Sequence, residues 1–193
     1  MSTDGTGSTG GSTHPEQHGR RRLLLMRHAK AEQEGETDHA RRLSARGRRD
    51  ARAAGILLGE RGDVPALVLV STSQRTRDTW DGVLAGLTDG AGGNAAKPET
   101  WFDRSLYDEG PRAVVELVGA VEDAVSTVLV IGHNPTISMV ASALSDGAAD
   151  PVLEQAVAKG LPTAALACFD VAVPWPEVNA GRLRLTHVDK PRG

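Results

Sequence analysis

At 193 residues the chain fits one ordinary domain with room for a full core. A formal net charge of -3 and 3% aromatic residues argue against a nucleic-acid surface, and a single cysteine excludes an internal disulfide framework or a thiolate zinc cluster. No apolar run approaches the length of a membrane span, and the N-terminus lacks the apolar core of a secretory signal, so a soluble, cytoplasmic protein is expected.

Residues 1–20 are rich in Gly, Ser and Thr and bury too little apolar area to offset ordering. They are expected to form a disordered tail, with His14 and His18 solvated, ahead of a single domain over 21–193. RLLLMRH (22–28) reads as a buried strand that stops at a surface, and residues 29–43 read as a polar loop. Ser44 is placed to cap a helix running through Glu60, with Ala51, Ala54, Gly55 and Leu58 on one face. ALVLVST (66–72) is a second buried strand, QRTRDTWDGVLAGL (74–87) a helix, TDGAGGNAAKP (88–98) a loop and ETWF (99–102) a short strand. Pro111 suits the first turn of a helix reaching about Ala124. TVLVIGH (127–133) is a third buried strand, and Pro135 opens a helix through Leu144. ALACFDV (165–171) and RLRLTHV (182–188) complete the strands, with Cys168 buried and inert in the first of them. Strands alternating with helices predict a layered α/β domain with a mostly parallel sheet. In such folds the ligand sits outside the carboxyl ends of the strands.

Three of these strands end in similar chemistry. The first ends in Arg27-His28, the second in Ser71-Thr72-Ser73 with Arg75 just beyond, and the third in Gly132-His133-Asn134. If the strands run parallel, two arginines, two histidines and nearby hydroxyls converge. Such a cluster repels itself unless an anion binds there. Guanidinium forks match phosphate oxygens, and a histidine is a competent nucleophile toward phosphorus.

Arg27-His28, Ser71 with Arg75, and Gly132-His133, each after an apolar strand, resemble the motifs of the histidine phosphatase superfamily, also called phosphoglycerate-mutase-like. Ala29 stands where that superfamily usually has glycine. The stretch Asp38-His39-Ala40-Arg41-Arg42-Leu43-Ser44, followed by Gly47-Arg48, resembles the SixA-like branch of bacterial phosphohistidine phosphatases, with Arg42 where proline is usual. The resemblance covers roughly residues 22 to 188. It implies a three-layer αβα sandwich and a metal-independent phosphatase, with no cofactor and no metal ligands. His28 would be the nucleophile and form a phosphohistidine. Arg27, Arg75 and His133 would hold the phosphoryl oxygens, and Arg41, Ser71 and Asn134 would bind substrate. His28 must be neutral at its attacking nitrogen, whereas His133 serves better as a cation or donor, so the two are expected to sit in different environments.

Relatives acting on alkyl phosphates supply a general acid from the middle of the chain. Asp103, Asp108 and Glu109 occupy that region here, and the sequence does not align any of them with that acid. An imidazole leaving group needs less help, because its nitrogen can carry its own proton near neutral pH. The implied partner is therefore a phosphorylated protein, with a small phosphorylated metabolite as the alternative; neither a membrane nor nucleic acid is implied. A phosphate-binding or protein-docking module without turnover is the rival from another class. A mutase is disfavoured by the short length.

Arg41, Arg42, Arg46, Arg48, Arg49 and Arg52 form a basic cluster. It reads as a solvated loop and helix face, as a pocket wall through Arg41, or as a dock for an acidic protein or nucleic acid. Asp38 either positions a pocket group or is an exposed loop carboxylate. His39 and His187 read as surface residues, and Trp80, Trp101 and Trp175 as core or edge packing.

Overall fold

The computed structural model describes residues 21–93 and 97–193. The expected tail, with His14 and His18, lies outside the described residues. Six strands form one sheet: β1 (Arg21–Arg27), β2 (Leu67–Ser71), β3 (Glu99–Asp103), β4 (Thr127–Gly132), β5 (Leu166–Val171) and β6 (Arg184–Asp189). Their order across the sheet is β3-β2-β4-β1-β5-β6. Strands β1 to β4 are mutually parallel, β5 runs against β1, and β6 runs against β5. The sheet is thus mostly parallel, as the alternation of elements predicts.

The apolar runs of the strands follow from burial on both faces. In β1, Leu23 and Leu25 enter one core while Leu24 and Met26 enter the other; Val128 and Val130 of β4 alternate with Leu129 and Ile131 in the same way. Helices α1 (Ala45–Arg61) and α2 (Gln74–Gly90) cover the second face through Ala51, Ala54, Leu58, Trp80, Val83 and Leu87. A four-residue helix, α3 (Ser105–Asp108), follows β3. The first face is covered by α4 (Pro111–Gly119), α5 (Thr136–Leu144) and α6 (Pro151–Ala158), through Val114, Val118, Ile137, Val140 and Val157. This is the αβα sandwich the resemblance implies.

Ser44 caps α1 as its sequence position predicts, its side chain accepting from the Gly47 amide. Gly47 is a packing requirement, since a Cβ there would fall on the Lys30 carbonyl. Gly86 likewise lets α2 press against α1, because a Cβ would fall on the Arg52 carbonyl.

The structure departs from the sequence expectations at three places. The helix from Pro111 stops at Gly119, not near Ala124; Val121 folds back into the core, and residues 122–126 turn into β4. The short α3 is not foreseen by any periodicity, having only Leu106 buried. Helix α6 is not foreseen either, although Asp150 and Pro151 carry its signal: the Asp150 side chain accepts from the Val152 amide and Pro151 opens the first turn. Among the described residues, no helix is long and apolar enough to cross a membrane.

Candidate active site

Register brings the three strand ends together. Arg27 pairs with Gly132 across β1 and β4, and Val70 pairs with Ile131 across β2 and β4. His28 and His133 therefore leave adjacent parallel strands side by side, their ring centroids 5.2 Å apart. The His28 amide still bonds the Gly132 carbonyl at 2.9 Å, so the ladder runs one residue past the last strand position. Ala164 reinforces this end. It sits at φ 62°, a costly conformation for alanine, and its N–H reaches the carbonyls of Arg27 and His28, each at 3.2 Å.

His28 has a defined tautomer. Its Nδ1–H donates to the Ala29 carbonyl at 2.7 Å, which leaves Nε2 as the nitrogen with the free lone pair. Burial, together with the charges of Arg75, Arg27 and Arg41, pushes its pKa down to about 4. Ala29, where glycine is usual, is fully buried, and its amide donates to Thr79 Oγ1 at 3.0 Å. That hydroxyl donates in turn to the Arg75 carbonyl, tying the motif to the first turns of α2.

His133 is bound at Nε2 to the buried Ser71 hydroxyl at 2.8 Å, while its Nδ1 has no hydrogen-bond partner. Burial and the neighbouring His28 push its pKa down to about 3. Of the two forms expected for His133, cation or donor, the cation is disfavoured in the free protein. Both rings are neutral near pH 7, because both are desolvated and face arginines. They differ in hydrogen bonding, not in charge.

Arg27 is oriented by the Leu161 carbonyl, which accepts from its Nη1 at 3.1 Å. The same carbonyl accepts from Asn134 Nδ2 at 2.8 Å, and Asn134 Oδ1 accepts from the Ser138 hydroxyl. Both ends of the Asn134 amide are thus engaged within the protein. These bonds place Asn134 beside Arg27 on the shared Leu161 carbonyl. Ser71 is likewise engaged with His133 and fully buried.

Asp38 is the hub of the site. Its Oδ2 accepts from Arg75 Nη2 at 3.0 Å and from the Tyr107 hydroxyl at 2.8 Å, and its Oδ1 accepts from Arg41 Nη1 at 2.9 Å. Its backbone carbonyl accepts from Arg75 Nη1 at 2.6 Å. The Tyr107 hydroxyl and the arginines hold its carboxyl well below the usual carboxylate range. Of the two sequence alternatives for Asp38, positioning is the one the contacts support. Arg41 is further fixed by the Glu32 carbonyl at its Nε.

Tyr107 is a member of the site that sequence reasoning does not find. Its ring stands edge-on to His133 at 5.3 Å and to His39 at 5.0 Å, with the Arg75 guanidinium 5.8 Å from its centroid. Nothing in the residue pattern signals it, because it lies in the unforeseen α3, away from every strand-end motif. His39 is exposed as expected, yet it belongs to the rim, where its Nε2 meets Thr72 Oγ1 at 3.1 Å. Among the described residues, the three mid-chain carboxylates make no hydrogen bond or ion pair to this cluster. Asp103 caps its own turn by accepting from the Ser105 amide and hydroxyl, Asp108 pairs with Arg104, and Glu109 is exposed.

No family model matches the chain. An uncharacterised protein of Mycobacterium tuberculosis is 36% identical over 171 residues, spanning 86% of this chain and 100% of that protein. A structure assigned to phosphohistidine phosphatase SixA of Nakamurella multipartitia is 32% identical, covers 90% of this chain and 97% of its own, and superposes with a TM-score of 0.72. Another assigned to SixA, from Agrobacterium tumefaciens, is 28% identical, covers 89% of this chain and 98% of its own, and has a TM-score of 0.70. Likeness of this extent, on a chain whose strand ends gather two arginines and two histidines, places the protein among the phosphatases of the histidine phosphatase superfamily, in its SixA-like branch.

Proposed function

We propose that this phosphatase removes phosphoryl groups from phosphohistidine in proteins, by way of a phosphohistidine on His28. The observation that carries the reading is the state of His28: Nδ1–H is spent on the Ala29 carbonyl, and Nε2 is unprotonated at neutral pH. Nε2 attacks phosphorus as the bond to the substrate nitrogen breaks. The leaving imidazole departs with a proton of its own. Water then attacks the phosphorus, and His28 is released. Arg27, Arg75 and His133 hold the equatorial oxygens, with Arg41 at the edge, and their charge and donors stabilise the transition state. The phosphoryl group would draw on the Arg75 protons that Asp38 does not use.

The substrate class is supported by where the carboxylates lie. Asp103 and Asp108 are engaged with local partners, Glu109 is exposed and makes no bond to the cluster, and Asp38 is held as an anion by two arginines and a tyrosine. A carboxyl pushed so far down is a poor proton donor. A leaving group that brings its own proton fits such a site better than an alkoxide.

The test is phosphate release from a phosphohistidine peptide, from p-nitrophenyl phosphate and from the alkyl phosphate glycerol 3-phosphate, for the wild type and His28→Ala, with chelator present. Turnover that survives the chelator and vanishes in the variant is expected, with the peptide preferred. Equal or faster release from an alkyl phosphate would overturn the substrate assignment. Undiminished turnover by His28→Ala would overturn the mechanism.

A further inference from the structure

Arginines and histidines that grip a phosphoryl group read nothing of the group that carries it. Recognition of the carrier falls to whatever lies between them and solvent, and here that ground is aromatic. The rings of His28 and His133 are 5.2 Å apart, those of His133 and Tyr107 5.3 Å, and those of Tyr107 and His39 5.0 Å. Four rings in succession thus run from the half-buried nucleophile, through half-buried Tyr107, to exposed His39 at the rim.

The two outer rings are fixed, and their polar tips are engaged. The Tyr107 hydroxyl donates to Asp38 Oδ2 at 2.8 Å. His39 is held through both backbone and side chain: its carbonyl accepts from the Gln74 amide at 2.9 Å, and its Nε2 meets Thr72 Oγ1 at 3.1 Å. Thr72 also anchors the wall beyond. Its carbonyl accepts from Arg77 Nε at 2.9 Å, and the Arg77 guanidinium lies 4.2 Å from the ring centroid of exposed Phe102. What Tyr107 and His39 have left to offer a ligand is chiefly ring surface. Contacts join that surface to the phosphoryl site. Asp38 Oδ2 accepts from Arg75 as well as from Tyr107, the Arg75 guanidinium is 5.8 Å from the Tyr107 centroid, and His133 flanks the same ring. A group attached to a phosphoryl held by Arg75 and His133 therefore lies within a few bonds of the Tyr107 ring.

We propose that Tyr107 and His39 form the leaving-group subsite and take a planar aromatic ring attached to the phosphoryl group. The proposal rests on the function proposed above and adds the feature that selects the substrate. The imidazole of a phosphohistidine packs against the two rings, and a saturated leaving group does not. Aromatic rings pair in offset or edge-to-face contacts that a saturated ring of the same size cannot match. Binding the leaving group in this way orients phosphorus toward His28 Nε2.

The experiment measures calorimetric dissociation constants of phenylphosphonate and cyclohexylphosphonate, at a pH where both are dianions. The two are alike in size and charge and are not hydrolysed. The saturated ring is the more hydrophobic, so a preference for the planar one cannot come from burial alone. The wild type is expected to bind phenylphosphonate about fivefold more tightly, the scale of one or two ring contacts. Inorganic phosphate should displace both. The preference should shrink in His39→Leu and disappear in Tyr107→Leu. It should persist in Tyr107→Phe, which gives up the hydroxyl bond to Asp38 but keeps the ring. It should persist also in Trp101→Leu, which removes an exposed aromatic of β3 whose indole N–H is bonded to Glu99. Equal binding of the two phosphonates by the wild type, or a preference undiminished in both leucine variants, would overturn the subsite and leave the phosphohistidine assignment standing. Loss of the preference in Tyr107→Phe would assign it to the Asp38 bond and overturn the subsite. Failure of phosphate to displace the phosphonates would place them elsewhere and overturn it too. Phosphohistidine and phosphotyrosine peptides of otherwise identical sequence then separate two sources of a planar leaving group. Cleavage of the phosphotyrosine peptide alone, with the phosphonate preference intact, would keep the subsite and overturn the phosphohistidine assignment.

Discussion

Replacing Asp38 by asparagine removes the charge that holds Arg41 and Arg75 while keeping the side chain's size. In the native protein three donors converge on the carboxylate, at 2.8 Å from Tyr107, 2.9 Å from Arg41 and 3.0 Å from Arg75. The substituted amide retains one carbonyl oxygen and turns an NH₂ group toward cations. Charge-assisted bonds in protected sites contribute about 1.5–3 kcal/mol each. The Asp38 side chain is 55% exposed, however, so solvent screening reduces each to about 0.2–1 kcal/mol. The combined loss is about 1–2 kcal/mol, or roughly tenfold in kcat/KM. KM should take most of it if, as proposed, Arg75 holds the phosphoryl group in the ground state as well as in the transition state. The backbone carbonyl of residue 38 still accepts from Arg75 at 2.6 Å, which keeps the loss from being larger. Steady-state kinetics of Asp38→Asn on p-nitrophenyl phosphate, with parallel thermal unfolding, would measure it. Unchanged kinetics would refute the positioning role. A fall in kcat tracking a large drop in Tm would show that Asp38 serves the fold instead.

Other outcomes follow from the same geometry. The acid limb of kcat/KM should lie near pH 4 rather than near the ordinary histidine value of about 6.5, since His28 accepts a proton only at about 4; a pH–rate profile reads this directly. Stability should change with the same sign. Below about pH 6.5 the unfolded chain protonates His28 and His133 while the folded protein does not, so folding free energy is lost as pH falls toward their folded values of about 4 and 3; urea melts between about pH 7 and pH 4 would show it, and a flat profile would contradict the burial of both rings. Ser71→Ala should lower kcat severalfold and destabilise by about 1–2 kcal/mol, because it strips the hydrogen bond from a buried ring; an unaltered kcat would mean that His133 needs no brace. Gly86→Ala should destabilise by about 1–3 kcal/mol in denaturant unfolding, since the added methyl meets the Arg52 carbonyl and forces α1 and α2 apart.

Most of the strands are legible because their two-sided burial writes itself into the chain as unbroken apolar runs, as in Leu23 to Met26 and Val128 to Ile131. Helix α1 is legible from Ser44 and its apolar face. Helix α6 escapes notice despite its Asp150-Pro151 start, because a short helix with only Val157 fully buried shows little periodicity. The end of α4 is overrun because Val121 continues the apolar spacing while packing from a turn.

The chemistry at the strand ends is written in the chain itself. Arginine and histidine after apolar runs carry charge, donors and a nucleophilic nitrogen wherever the strands deliver them, which is what makes an anion site expected from the chain alone. How those groups are held is a matter of the folded arrangement alone. Tyr107 and Asp38 meet across 69 residues, and Arg27 and Leu161 across 134. Which carboxylate is an acid and which a brace, and whether both histidines are neutral, depend on burial and on neighbours. Such neighbours are set by packing between layers, and no local pattern in the chain records them.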